Sequence, residues 1–393
     1  MTALSKESIM KGKESSEKDL QSPPKTLFLN GTNFMRKLST MQLIPGMTIA
    51  QDVFSYDHDL VLSQGTELND KLITKLGLYG VLTVYVEDKE PPTAPVPKVS
   101  QEPSYYDRIK RSPDFQRFKA EYEHIMNYFK ESINAVVERN IKLDVETLLS
   151  SSLEMISHIS NQFSILDILQ NMWEYDDSTF AHSMNVALIS NLLATWLRFN
   201  EEGIKRATIC GLLHDVGKMQ IPYSIISKPG QLSDKEFEII REHPITGYQL
   251  LFSHKMDQYI CNAALQHHER FDGSGYPLHL KGTQIDRYAR IVAIADVYDA
   301  MTAARCYRGP LCPFRVIEMF EAEGFQKYDV EYLLPFLRNV VNTYIRNRCR
   351  LSDGREGDII YINNDKLSRP VVQCGTEYVN LAEEPDLSIT DLL

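Results

Sequence analysis

The sequence predicts a mainly α-helical protein, with a small α/β module ahead of the helices and a small β appendage behind them. Three observations carry that reading. Between residues 105 and 348 apolar side chains recur at three and four residues, as in Phe118, Tyr122, Ile125, Tyr128 and Phe129, the spacing that holds one helix face against a core. Between residues 37 and 88 the pattern is shorter and mixed. Beyond residue 349, short apolar runs alternate with turn signals at Asp353-Gly354 and Asn363-Asn364, which is strand punctuation.

Taken in order, residues 1–36 are polar, rich in Lys, Ser and Glu and without periodicity, so they read as a flexible tail. In the module at 37–88, Met47 to Val53 and Asp59 to Leu62 read as short strands, Asn69 to Leu78 as a helix, and Val81 to Val86 as a further strand. Residues 89–104 contain Pro91, Pro92, Pro95 and Pro97 and read as a semi-rigid linker. The helical region, 105–348, shows its own start signals. Ser233-Asp234-Lys235-Glu236 fits a capping box, and Pro313 fits the first position of a helix running towards Glu321. In the appendage, 349–393, Gly357 to Ile362, Pro370 to Gln373 and Glu377 to Leu381 read as strands. The linker and the long helices from Pro113 onward suggest that the N-terminal module transmits a signal or supports a homodimer.

Composition narrows the function. The 393 residues are 43% hydrophobic, ample for a sizeable core. The formal charge of 42 minus 53, or −11, argues against binding a nucleic-acid polymer through a basic face and leaves room for a local basic pocket. The six cysteines, at 210, 261, 306, 312, 349 and 374, have no CxxC spacing; neither a zinc knuckle nor a disulfide framework is indicated. No stretch approaches eighteen uninterrupted apolar residues, and the first residues lack the apolar core of a signal peptide. A cytoplasmic protein without membrane insertion is expected.

The chemistry concentrates in residues that are hard to bury. His214, Asp215, Lys218, His243, His267, His268 and Asp296 lie in or beside apolar runs such as Cys210 to Leu213 and Ile291 to Ala295. Their burial needs a common partner, and a shared metal centre is the economical one. Singly, each has a plainer role. His214-Asp215 could sit on a solvated helix; with Lys218 three and four residues on, all three would share one helical neighbourhood. His267 and His268 could be surface histidines, His243 a capping residue before Pro244, and His182 a structural core histidine at the head of Met184 to Leu197. Asp296 and Asp299 could serve as helix caps or each pair with a cation in a salt bridge. Arg305 and Arg308 could be a solvated face or a fork for phosphate oxygens. The loop Glu269 to Pro277 could be a plain turn, or could use Gly275 for close backbone approach and Tyr276 to stack on a base.

The order of these residues decides between the readings. His182, His214-Asp215-x-Gly217-Lys218, His243, His267-His268-Glu269, Asp272-Gly273-x-Gly275-Tyr276-Pro277 and Asp296-x-x-Asp299 resemble the HD-GYP family, a branch of the HD phosphohydrolases, over roughly residues 150 to 345. The resemblance implies an all-helical HD-type domain. It further implies a cyclic di-GMP phosphodiesterase that forms linear pGpG, with GMP as a further product, at a centre of non-haem iron or manganese. Carried over by residue, His182, His214, Asp215 and Asp296 would surround one metal, and Asp215 would bridge to a second held by His243, His267 and His268. A hydroxide between the metals would attack the phosphodiester, assisted by Asp215 and Lys218. Lys218, Arg305 and Arg308 would hold phosphate, Gly275 and Tyr276 would shape the guanine pocket, and Asp299 would support Lys218 or ligate a metal. Diguanylate cyclase domains are implied partners.

One position departs from the family pattern. Some members hold a third metal with a glutamate four residues before the first motif histidine; that position is Ser178 here, so two metals are expected unless Asp176 or Asp177 turns inward. Two other functions stay open at this point: a nucleotide-binding or cyclase-interacting regulator with little turnover, and a phosphohydrolase of another cyclic dinucleotide.

Overall fold

The computed structural model describes residues 35–39, 43–54, 60–69, 72–73, 75–76, 81, 83–87, 105–157, 164–172, 179–226, 233–302 and 312–393. The expected linker at 89–104 and most of the expected tail lie outside them. The last two residues of that tail do not. Met35 and Arg36 open strand β1 (Met35–Ser39), which pairs antiparallel with β4 (Thr83–Glu87) in the register Met35 to Glu87 and Arg36 to Val86. Strand pairing, invisible from a polar local sequence, moves the boundary back.

The rest of the N-terminal module is smaller in strand content than its sequence suggests. Met47 to Val53 makes only single bridges at Thr48 and Ile49, and the ladder begins with β2 (Val53–Phe54) against β3 (Leu60–Leu62). Residues 72–73 and 75–76 are helical, and the Asn69 carboxamide accepts from the Leu72 amide at 2.9 Å, the N-cap exchange that such a start requires. Leu43, Ile49, Leu68, Leu76, Val84 and Val86 form a core of their own.

The helical region starts with α1 (Tyr105–Lys110) and the 27-residue α2 (Pro113–Arg139). The Ser112 hydroxyl accepts from the Phe115 amide, Pro113 occupies the first turn, and Asn140 closes the helix in the left-handed region at φ 53°. The stripe Phe115, Phe118, Tyr122, Ile125, Met126, Phe129, Ile133 and Val136 is buried, each such side chain contributing about 1.5–3 kcal/mol. There follow α3 (Val145–Ser157), α4 (Ser164–Met172), α5 (Thr179–Trp196) and α6 (Glu201–Leu213). After α6 come a 3-10 turn (Val216–Gln220), α7 (Tyr223–Ile226), α8 (Asp234–Arg241), α9 (His243–Ser253), α10 (Gln258–Gln266) and α11 (Arg287–Thr302). Helices α5 and α11 are apolar on nearly every side, the signature of central helices. Asn185 on α5 and Asp296 and Asp299 on α11 are therefore held inside the bundle.

Beyond α12 (Pro313–Met319) the backbone widens into a π turn (Phe320–Gly324), then α13 (Phe325–Lys327) and α14 (Val330–Asn342). The last segment is a five-stranded antiparallel sheet in the order β8-β7-β6-β5-β9. Its strands are β5 (Arg348–Leu351), β6 (Glu356–Tyr361), β7 (Val371–Cys374), β8 (Glu377–Asn380) and β9 (Ile389–Leu392). Three match the expected runs. Strands β5 and β9 are additions, each four residues long and paired with the other. Cys349, Leu351, Ile359, Val372 and Leu392 belong to the same buried cluster as the helices, so the sheet shares the helical core. Among the described residues, no helix is long and apolar enough to cross a membrane.

Candidate metal centre

Helix α6 ends at Leu213, and His214 and Asp215 occupy a turn before the 3-10 segment that carries Lys218. The single helix expected through these residues is thus broken. The break swings Asp215 inward while Lys218 still reaches it, Nζ to Oδ2 at 2.5 Å. Gly217 makes the turn possible, since a Cβ there would lie 2.0 Å from the His243 carbonyl oxygen. The start of α9, and with it His243, is consequently pressed against the His214-Asp215 turn.

His267 and His268 follow α10 directly, and both turn into the same space as α5 and α11. His214, Asp215, His243 and His267 are each at most 1% exposed. Three sets of ligand atoms converge: His182, His214 and Asp296; His243, His267 and His268; and His214, Asp215 and His267. Asp215 lies between the first two sets, with Oδ2 3.4 Å from His214 Nε2 and 3.8 Å from His182 Nε2, and Oδ1 3.2 Å from His243 Nε2 and 3.6 Å from His267 Nε2.

Hydrogen bonding fixes which nitrogen each ring offers. Nδ1 of His214 donates to the Gly211 carbonyl at 2.7 Å, Nδ1 of His243 to Ile240 at 2.6 Å, and Nδ1 of His267 to Ala264 at 2.9 Å. With that nitrogen protonated, each neutral ring directs an Nε2 lone pair at the cluster. Nε2 of His243 and Nε2 of His267 face each other at 3.2 Å, two acceptors with no proton between them. Nε2 of His214 and Oδ1 of Asp215 are buried without a hydrogen-bond partner among the described residues. An unsatisfied buried acceptor costs about 1–3 kcal/mol; a cation satisfies all of them at once. The residues present therefore fit divalent cations, and the donor set is imidazole and carboxylate without thiolate.

Electrostatics agree with that preparation. Burial pushes His214 down to about 3, and burial likewise lowers His243 and His268, keeping them neutral as ligands must be. For Asp215, burial opposes ionisation, but Lys218 and the surrounding histidines outweigh it and hold the carboxyl well below its usual range. His182 is the exception. Burial works to lower it, yet hydrogen bonds to Asp296 and Asp299 outweigh burial and raise it to about 10.

His182 uses Nδ1 on Asp299 Oδ2 at 2.8 Å and places Nε2 3.1 Å from Asp296 Oδ1. Asp299 therefore supports a histidine; the expected alternative, Lys218, is paired with Asp215 instead. The loop after His268 is held by Glu269, whose carboxylate accepts from the Leu278 amide at 2.7 Å and the Leu280 amide at 2.9 Å. Gly275 packs into that fold, where a Cβ would come within 2.2 Å of the Arg270 nitrogen. Tyr276 stacks on His268, with centroids 4.7 Å apart and planes at 24°. The Arg241 guanidinium lies 4.5 Å from the same ring centroid. The aromatic expected to receive a base is already covered by an arginine.

Residues 147–332 match the HD domain family. This segment is similar to an HD domain, and the motif order already described resembles that of the HD-GYP branch. The chain is 35% identical over 199 residues to a cyclic di-GMP phosphodiesterase of Pseudomonas aeruginosa, covering 50% of this chain and 48% of the relative. A cyclic di-GMP phosphodiesterase of Thermotoga maritima is 35% identical over 192 residues, or 47% of this chain and 52% of the relative. A 3'3'-cGAMP-specific phosphodiesterase of Vibrio cholerae is 34% identical over 215 residues, or 54% and 46%. The chain thus spans about half the length of these curated relatives.

Of the residues that carry the resemblance, His182, His214, Asp215, Lys218, His243, His267, His268, Asp296 and Asp299 are brought together. Arg305, Arg308 and the segment with Asp176, Asp177 and Ser178 lie outside the described residues. Sequence reasoning quoted Glu269 in the motif without giving it a role, read Tyr122 only as part of an apolar stripe, and did not single out Arg241 or Asn185, whose amide lies 3.1 Å from Asp299. For Asn185 there was a signal: an amide inside an apolar helix must find a partner.

Proposed function

We propose that this protein is a cytoplasmic HD-GYP phosphodiesterase that hydrolyses cyclic di-GMP to pGpG. The observation that carries the reading is the pair of facing Nε2 atoms of His243 and His267, 3.2 Å apart, in a cluster whose acceptors outnumber its protons. Two divalent cations, when bound, lower the pKa of water and neutralise charge developing on a phosphodiester. His182, His214, Asp215 and Asp296 would hold one, and His243, His267 and His268 the other, with Asp215 shared. Mixed imidazole and carboxylate donors favour iron or manganese, and Ser178 in place of a carboxylate favours two metals over three. Lys218, 26% exposed at its side chain, pairs with Asp215 from the solvent side, and a phosphate would meet it there. Arg305 and Arg308 are assigned to the same phosphates. Gly275 shapes the loop, and Tyr276 with Arg241 forms the wall that a guanine would meet.

The likeness to a 3'3'-cGAMP-specific enzyme supports a second reading in which the chemistry is the same and the cyclic dinucleotide differs. Protein loaded with iron or with manganese, incubated with cyclic di-GMP and separately with 3'3'-cGAMP, separates the cases by chromatography of the products. The first reading expects pGpG as the first product and faster turnover of cyclic di-GMP; faster cGAMP cleavage selects the second. No product from either substrate with either metal identifies a nucleotide-binding regulator instead. Three metals per chain in protein prepared without oxygen would overturn the two-metal assignment.

A further inference from the structure

We infer that Asn185 and Tyr122 are positioning residues of the metal centre, forming a hydrogen-bonded relay from helix α2 to the ligand His182. It rests on the reading of His182 as a metal ligand. The Tyr122 hydroxyl lies 3.1 Å from the Ala181 carbonyl and 3.1 Å from Asn185 Oδ1, and its one proton is shared between these two acceptors. Asn185 Nδ2 donates to Asp299 Oδ1 at 3.1 Å, and Asp299 Oδ2 accepts from His182 Nδ1 at 2.8 Å. Tyr122, Asn185 and Asp299 are each at most 2% exposed. Water is therefore a poor substitute for any link.

The relay is directional because an amide has one accepting and one donating end. The Tyr122 donor occupies Asn185 Oδ1, which leaves Nδ2 to face Asp299. Were the amide to flip, its oxygen would oppose a carboxylate oxygen at hydrogen-bond distance. Asp299 and Tyr122 together thus select the Asn185 orientation, and Asp299 in turn holds a proton on His182 Nδ1 and fixes the ring so that Nε2 faces Asp296. Partners that orient a metal-bound histidine typically change metal affinity by about 10–100-fold when removed. Asn185, one step further out, is expected to sit at the lower end.

The test measures Mn2+ affinity of the full chain by competition with a chromophoric chelator, in the unmodified protein and in N185L, Y122F, D299A and D299A/N185L. The melting temperature of each metal-free protein is read in parallel. The relay predicts about 10-fold weaker binding in N185L and about 3-fold in Y122F, with less than a twofold further loss when N185L is added to D299A. Equal losses from N185L in both backgrounds would mean that Asn185 acts through general packing, and overturn the relay. So would unchanged affinity in a folded N185L. If N185L does not fold, Y122F, which removes one oxygen, decides alone: unchanged affinity overturns the relay. An unmodified chain that binds neither Mn2+ nor Fe2+ overturns the metal-centre reading itself, a distinct result.

Discussion

Residue chemistry explains why the cluster must hold something. Three histidines commit Nδ1 to backbone carbonyls, so their free nitrogens are all acceptors, and they converge on a carboxylate that is also an acceptor. Replacing one ligand should therefore remove one cation while sparing the fold. For H243A we expect bound metal to fall from two per chain to one, counted by elemental analysis. Turnover should drop at least about 100-fold, the scale on which metal-assisted charge neutralisation acts. Metal-free H243A should melt no lower than the metal-free unmodified protein, because the variant loses a facing pair of lone pairs. A marked destabilisation without metal would show that His243 is a packing residue. At this scale the sequence was most legible, since a buried His or Asp has few alternatives to a metal or an ion pair. Asp299 shows the limit: its carboxylate chose His182, 117 residues away, and no local pattern specifies such a partner.

At the level of elements, the site depends on close contacts between segments. The sequence predicts a continuous helix through His214, Asp215 and Lys218, and the spacing alone supports it, because side chains three and four apart also meet across a tight turn. What breaks the helix is tertiary: Gly217 admits the His243 carbonyl where any side chain would stand. Reading Gly217 as a weak helix residue was possible; reading it as a contact was not, since the partner lies in another element. The G217A substitution should accordingly push α9 away from the turn. Overpacking of this kind costs about 1–3 kcal/mol, so circular dichroism should show native helix content with a lowered melting temperature. The displaced His243 should weaken metal binding disproportionately. Normal metal content in G217A would show that the turn tolerates the methyl group and that the contact is incidental. Strands β5 and β9 illustrate the same limit, being short segments made strands by their partners, β5 between β6 and β9, and β9 against β5.

For the molecule as a whole, the strongest observation away from the metal centre is Asp167 on α4. It lies where α1, α4 and the chain leading into the C-terminal sheet meet, beside a cavity of about 410 Å³ lined also by Tyr105, Arg108 and Asn347. Its Oδ1 is buried without a hydrogen-bond partner among the described residues. Burial pushes its carboxyl up to about 7, against the Tyr105 and Tyr344 hydroxyls, which pull it down. A raised acid pKa means that the folded state holds this proton more tightly than the unfolded chain. The unfolded chain releases it near 3.8, so stability falls as pH rises between about 4 and about 7 and is level beyond. A shift of that size corresponds to at most about 4 kcal/mol, and the partly exposed side chain realises less. D167N keeps the shape without the ionisation. It should melt at nearly the same temperature as the unmodified chain at pH 4 and higher at pH 8, by about 2–4 °C for each kcal/mol relieved. Melting curves of the metal-free proteins across this range test the sign directly. A D167N that is equally stable at pH 8 would mean that Asp167 ionises freely in the folded protein and that this junction is open to water.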